Sequence, residues 1–277
     1  MSSAPSVPTP SFPDHLFLVG CGNMAGQMLA RWLACGLDTR TVTVLRPSGR
    51  PVAPGIAVVT DYPAVLLAGT TILLGMKPQQ IEGVARALRP LCAPDTRLIS
   101  ILAGTPIGAL RARFPGLADI VRAMPNLPVG IGQGVTALHG DVRTSEAARA
   151  GADALMTPLG LAEWFTDEAQ FDAVTALSGC GPAFLFRFID ALGRAGAALG
   201  LPADQATRIA LATVQGAATM AATAEAGPAL LADRVASPGG MTREGLNVLD
   251  ADDRLVSLLI ETLTAARNRG ETMARGQ

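Results

Sequence analysis

Leu16-Phe17-Leu18-Val19-Gly20-Cys21-Gly22-Asn23-Met24-Ala25 decides how the rest of the chain is read. Four uninterrupted apolar residues followed by glycine mark a short strand buried on both faces, as in a parallel sheet covered by helices. The G-x-G-x-x-A that follows opens a helix. Gly20 permits the tight turn, Gly22 lets the backbone approach a pyrophosphate, and the small Ala25 lets helix and strand pack closely while the helix N-terminus faces the phosphates. Gly20, Gly22, Asn23 and Met24 are therefore candidate cofactor-binding residues.

Working outward, short apolar runs at 41–45, 71–75, 97–102 and 120–122 alternate with helix-like segments such as 24–35 and 79–88. That alternation predicts an α/β, Rossmann-type doubly wound sheet over residues 15–166. After Asp167 strand-like alternation fades, and Ala, Leu, Arg and Glu fill runs punctuated by Gly200-Leu201-Pro202, Gly227-Pro228 and Ser237-Pro238-Gly239-Gly240. Residues 167–277 are expected to form an all-α domain for substrate binding and dimerisation, its apolar helices shared with a second subunit. Residues 1–14, rich in Ser and Pro, read as a flexible tail.

Composition narrows the chemistry. The 277 residues carry a net charge of -1 and are 49% hydrophobic, which fits neither a disordered chain nor an electrostatic nucleic-acid binder. Among the basic residues there is a single lysine, Lys77, and the chain holds one tyrosine, Tyr62, and two histidines, His15 and His139. Strong acids and bases near neutral pH are thus scarce, and a Tyr-x-x-x-Lys relay is ruled out because Leu66 stands four residues after Tyr62. Cys21, Cys35, Cys92 and Cys180 contain no C-x-x-C pair, so neither a disulfide framework nor a metal site is expected, and a reducing cytoplasm fits. No stretch reads as membrane-spanning.

The second strand sets the cofactor. An NAD-binding unit places Asp or Glu beyond this strand for the ribose hydroxyls, whereas here it ends in Arg46-Pro47-Ser48, which suits a 2′-phosphate and hence NADPH, with NADH as an alternative. Met76-Lys77-Pro78 ends the 71–75 strand, where open α/β sheets bind ligands, and Lys77 offers a compact donor to a ribose or a substrate carboxylate. Ala103 and Gly104, after the next strand, and Arg122-Ala123-Met124-Pro125-Asn126 are expected to line the nicotinamide side. In the helical half, Ser237-Pro238-Gly239-Gly240-Met241-Thr242 frees several N–H groups at a helix start and adds two hydroxyls, a nest for a carboxylate. A plain interhelical loop is the alternative there.

Taken in order, Gly20-Cys21-Gly22-Asn23-Met24, Met76-Lys77-Pro78-Gln79, Arg122-Ala123-Met124-Pro125-Asn126, Thr175-Ala176-Leu177-Ser178-Gly179 with Gly181-Pro182-Ala183, and Ser237-Pro238-Gly239-Gly240 with Thr242 resemble the pyrroline-5-carboxylate reductases. The resemblance runs from about Leu16 to Arg269. It implies a Rossmann domain, a helical domain interlocked with that of a partner, and NAD(P)H-dependent reduction of the cyclic imine 1-pyrroline-5-carboxylate to L-proline. It also places Thr242 nearest the imine and Glu225 upstream of the loop within the site. Three residues depart from the family's usual pattern: Cys180 stands for Ser, Phe184 for Tyr, and Met241 where many members carry Thr or Ala.

The residues suit that chemistry. A partly protonated imine accepts hydride directly, so positioning does most of the catalytic work and no strong protein acid is needed. Ketone reduction on a related scaffold needs a lysine in the helical half, and none follows Lys77. Two other readings stay open on sequence: a reductase of a different cyclic imino acid, prompted by Met241 and Phe184, and a non-catalytic NADP(H)-binding regulator on the same fold.

Overall fold

A computed structural model of the chain describes residues 11–275. The opening apolar run becomes β1 (Leu16–Val19), buried throughout, and the G-x-G-x-x-A turn leads into α1 (Asn23–Ala34). There follow β2 (Val42–Leu45), β3 (Ala57–Val59), β4 (Thr71–Leu74), α2 (Ile81–Leu88), β5 (Arg97–Ser100), α3 (Ile107–Arg113), β6 (Ile120–Pro125), β7 (Gly134–His139), α4 (Glu146–Met156), β8 (Gly160–Trp164) and α5 (Phe171–Val174). The eight strands form one sheet in the order β3-β2-β1-β4-β5-β6-β7-β8. All pairs are parallel except β6 with β7. Because β1 lies between β2 and β4, with Val19 level with both Leu45 and Leu74, chain direction away from the sheet centre reverses there. That reversal opens a crevice beyond the carboxyl ends of the strands.

Alternate β1 side chains enter opposite layers, as a strand's period of two requires. Leu16 and Leu18 join Met28, Trp32 and Leu155 in one cluster, while Phe17 and Val19 join Ile81, Leu88 and Leu110 in the other. Trp32 is fully buried, and its indole Nε1 donates to the Leu155 carbonyl at 2.6 Å, locking α1 to α4.

The sheet is wider than the sequence reading. β3 is only three residues long and stands at an edge, and β8 alternates half-buried with exposed residues over Gly160-Leu-Ala-Glu-Trp164, a composition with weak strand propensity. β7 owes its place to antiparallel pairing with β6, in which Arg122 faces His139. β7 and β8 lack the continuous apolar run that signals a buried parallel strand, whereas β3 lies in such a run, Ile56 to Val59, which the sequence reading passed over.

Contacts divide the molecule after Gly179: one unit takes the residues up to there and those from Arg267 onward, and the other takes Cys180–Ala266. The strands do end before Asp167, but residues 168–179 pack on the sheet. Phe171 is 1% exposed against Met124 and Ala137, and Asn126 Nδ2 donates to the Ser178 carbonyl at 2.9 Å. Of the segment expected to be a flexible tail, residues 1–10 lie outside the described residues, and Phe12 packs against the first cluster.

In the second unit, α6 (Gly181–Ala198) and α7 (Ala203–Thr223) meet closely, since a Cβ on Gly193 would fall 3.1 Å from Thr207 Cα. The remaining helices are α8 (Pro228–Arg234), α9 (Met241–Asp250) and α10 (Arg254–Arg275). Only small residues such as Gly193, Ala206, Ala210 and Ala236 reach full burial there, while Phe186, Ile209, Met220, Val256, Leu258 and Ile260 each stay more than half exposed. Apolar exposure on that scale marks an interaction surface. No helix among the described residues is long and apolar enough to cross a membrane.

One buried ion pair ties residues 168–179 to the sheet. Arg122 on β6, 6% exposed, donates from Nη1 to Glu168 Oε1 at 2.9 Å and lies 4.4 Å over the Phe171 ring. The same carboxylate oxygen accepts the Ile107 N–H at 2.7 Å at the start of α3. Glu168→Ala would leave the Arg122 charge buried without its counter-ion. We expect a loss of about 3 kcal/mol, the lower end for a broken buried pair because Glu168 keeps 22% side-chain exposure. Denaturant unfolding monitored by Trp fluorescence checks this; an unchanged midpoint would show that the pair contributes nothing net.

Candidate active site

At the reversal point the carboxyl ends of β1, β2 and β4 and the start of α1 enclose a cleft of about 620 Å³. Its floor depends on missing side chains. Gly20 has φ +83°, and a Cβ there would sit 3.0 Å from the Met76 backbone; a Cβ on Gly75 would sit 2.9 Å from the Ala25 methyl. Gly22 differs, because the space a Cβ would occupy is open, which leaves the approach to its backbone clear. Gly22 is also the N-cap of α1, with no side-chain cap and no acidic residue in the first turn, so the leading N–H groups of the helix remain available to an anion.

Cation supply comes from two directions. Arg46 lines the cleft, its backbone N–H held by the Val59 carbonyl at 2.9 Å, and its side chain has no acidic partner among the described residues. Lys77 lies exposed at the opposite lip, where its backbone N–H donates to Gln80 Oε1 at 3.2 Å. Cys21 also lines the cleft. Burial pushes its thiol pKa up against the opposing pull of Arg46, which leaves a protonated thiol at neutral pH and no nucleophile. A dinucleotide phosphate fits this set: an open glycine, an uncapped helix start and a guanidinium whose one hydrogen bond among the described residues goes to the Arg50 carbonyl at 3.5 Å.

Of the residues expected to hold the cofactor, Gly20, Gly22, Asn23, Arg46, Met76 and Lys77 share this cleft. Met24 instead packs against the first apolar cluster, Ser48 Oγ accepts the Arg50 N–H at 3.4 Å, and Pro78 starts a single 3₁₀ turn, so these three stand beside the lining. Gly104 lines a separate cavity of about 280 Å³ with Arg122, Glu168 and Phe171, and Ala103 is exposed beside it. Arg122 is engaged by its ion pair, and Ala123 to Asn126 are buried in the sheet, away from the cleft lining. The sequence reading passed over Thr60, Tyr62 and Gln80, which do line it. Thr60 and Tyr62 follow β3, so recognising that short edge strand was the signal available.

Histidine takes no part here. His139 is 7% exposed within the sheet, its Nδ1 2.8 Å from the Phe165 carbonyl and its ring edge-on to Phe171.

The second patch lies in the helical unit. Gly239 adopts φ +72°, and Gly240 donates its N–H to the Ser237 carbonyl at 2.9 Å, a turn that delivers the chain into α9. Gly240 is the N-cap and carries no side chain, so the N–H groups of the first turn, at Met241 and Thr242, lack an intrahelical partner. Arg243 Nη2 anchors the start of α9 to Asp233 on α8 at 2.8 Å. The Met241 side chain is 94% exposed; Ser237, Thr242 and Glu225, the last in the turn before α8, are exposed as well.

Comparison with known proteins gives the family. Residues 168–273 match the family model for pyrroline-5-carboxylate reductase dimerisation. The chain is 35% identical over 265 residues to a pyrroline-5-carboxylate reductase of Pseudomonas aeruginosa, covering 94% of this chain and 97% of that one. A solved pyrroline-5-carboxylate reductase from Coxiella burnetii superposes with a TM-score of 0.86 at 32% identity, over 95% of this chain and 98% of the other. The fold is also shared, at a TM-score of 0.78 and 22% identity over 95% of this chain and 100% of the other, with a Plasmodium falciparum pyrroline carboxylate reductase solved with NADP bound. A sheet that reverses at a glycine-rich crevice, a helical unit with an uncapped glycine loop, and full-length likeness at this level of identity converge, and the chain belongs to the pyrroline-5-carboxylate reductase family.

Proposed function

We propose that this protein reduces 1-pyrroline-5-carboxylate to L-proline, the last step of proline biosynthesis, with NADPH as the preferred donor and NADH as an alternative. The observation that carries the reading is the loop from Ser237 to Thr242, where a left-handed Gly239, an uncapped α9 N-terminus and two hydroxyls occupy six residues. A cyclic imino acid carries a carboxylate and an imine nitrogen a few bonds apart, and this loop offers donors for both. The N–H groups around Gly239 to Met241 and the Ser237 hydroxyl would hold the carboxylate, and Thr242 would face the imine as the catalytic hydroxyl. Glu225 and Lys77 complete the proposed substrate set.

NADPH supplies the hydride. The chain's part is to hold its phosphates on Gly20, Gly22 and the α1 N-terminus, to meet the 2′-phosphate with Arg46, and to fix the imine in a near-attack geometry. A buried His139 and a protonated Cys21 agree with a mechanism that asks for no strong protein acid. Met241, almost wholly exposed beside Thr242, favours one second reading, a preference for a larger cyclic imino acid. Relative kcat/KM on five- and six-membered imino acids separates the two.

The exposed apolar faces of α6, α7 and α10 and the dimerisation match support a homo-oligomer, and we take its unit to be a dimer formed through the helical domain. Four free cysteines and the lack of a membrane-crossing helix among the described residues support a cytoplasmic location.

Three outcomes follow. Thr242→Ala should lower kcat/KM for the imine by about ten-fold to a hundred-fold, the worth of one hydrogen bond to a charged group, while the Kd for NADPH stays near the parent value; unchanged imine reduction would make the loop structural. Arg46→Asp should raise KM for NADPH far more than for NADH, and equal changes would remove Arg46 from the 2′-phosphate. If the subunits fold only together, the melting temperature should rise with protein concentration, and an active monomer by light scattering at assay concentration would overturn the shared-helix reading.

A further inference from the structure

Beyond the phosphate and imine contacts, one charged cavity has no role so far. It holds about 280 Å³, and its lining includes Gly104, Pro106, Arg122, Glu168, Phe171 and Asp172, all within the first unit. We propose that it binds a small α-amino acid in its zwitterionic form, and that L-proline, the product of the proposed reaction, is such a ligand. The choice of L-proline rests on that reading of the function, whereas the zwitterion site does not.

Arg122 supplies the carboxylate half. It is 5% exposed; its Nη1 is spent on Glu168, while its fully buried Nε has no hydrogen-bond partner among the described residues. Nη2 donates to none of them either. Nε and Nη2 form one edge of the planar guanidinium, and such an edge takes a carboxylate through two parallel N–H bonds. A buried donor without a partner is costly, and an anion on this edge removes that cost.

Two carboxylates supply the ammonium half. The bonds to Glu168 from Arg122 and from the Ile107 N–H both fall on Oε1, so Oε2 accepts none among the described residues. Asp172 is half-buried and has neither an ion pair nor a side-chain hydrogen bond among them. Arg122 and Glu168 balance each other, which leaves the Asp172 charge uncompensated and selects a ligand that brings a cation together with its carboxylate. A secondary ammonium has two N–H donors, one for each of these acceptors. Phe171 and Pro106 offer apolar walls to a small ring, and the volume lies near the lower limit of ligand pockets, roughly 300 Å³.

The test measures L-proline binding to the full-length protein by calorimetry. Pyrrolidine, which lacks the carboxylate, and cyclopentanecarboxylate, which lacks the amine, should each bind at least about ten-fold more weakly than L-proline. Asp172→Asn keeps the shape and removes the charge, and it should weaken L-proline by about ten-fold to a hundred-fold. The Asp172-dependent binding should persist in Thr242→Ala and in protein saturated with NADP+. A crystal structure of the wild-type protein with L-proline gives a readout that does not depend on a variant folding: the carboxylate should lie on Nε and Nη2 of Arg122 and the ring nitrogen beside Asp172. Parent-like binding by Asp172→Asn, cyclopentanecarboxylate binding as tightly as L-proline, displacement by NADP+, or a crystal with no L-proline in the cavity would each overturn the site. A protein that reduces the imine without Asp172-dependent binding loses this site alone, and one that binds L-proline through Asp172 without reducing the imine keeps the site and loses the proposed function.

Discussion

The close approach of three backbone segments at the crevice is the constraint on which the rest depends. The β1–α1 turn at Gly20, the end of β4 at Gly75 and Met76, and the first turn of α1 at Ala25 meet with separations that leave no room for another carbon: 3.0 Å from Gly20 to Met76 and 2.9 Å from Gly75 to Ala25, measured to an added Cβ. Only glycine tolerates φ +83° at that distance, and only a residue as small as alanine fits opposite. This contact aims the N-terminus of α1 at the cleft, brings Arg46 and Lys77 to its two lips, and leaves Gly22 open above the floor. A larger residue at any of the three would move the helix start away from the phosphates it is placed to meet.

The far side of the sheet has a second requirement. Arg122 sits inside a β-sheet, where an unpaired charge is costly, and Glu168 returns from beyond β8 to meet it while also accepting the first N–H of α3. Phe171 closes over the guanidinium. This arrangement draws residues 168–179 onto the sheet, although their local character is helical. It also gives the Arg122 side chain its counter-ion and its cover.

The helical unit shows the opposite economy. Its small residues allow α6 and α7 to pack closely, but a pair of helices cannot cover its own outer faces, and large apolar side chains from Phe186 to Ile260 remain in solvent. Burial of those faces by a second subunit would make folding and assembly one event. The same unit carries the glycine loop, so the proposed substrate site and the oligomer share their helices.

Sequence alone was enough where the signal is local. The unbroken run of Leu16 to Val19, the glycines that permit the turn, the arginine replacing an acid after β2, and the uncapped helix start at Gly240 are each set by a few neighbouring residues. The near absence of lysine, tyrosine and histidine likewise narrowed the reaction class without any coordinates. Tertiary structure decided what depends on partners distant in sequence. β7 and β8 exist because β6 offers an edge, Phe171 leaves the helical half because Arg122 needs a cover, and Gly104 falls in a different cavity from Gly22. Tyr62 reaches the cleft only through β3, a strand of three residues with no periodic signal of its own. Periodicity and turn chemistry report the free energy of a segment against its own backbone, whereas these placements come from burial and charge pairing between segments, which no local pattern records.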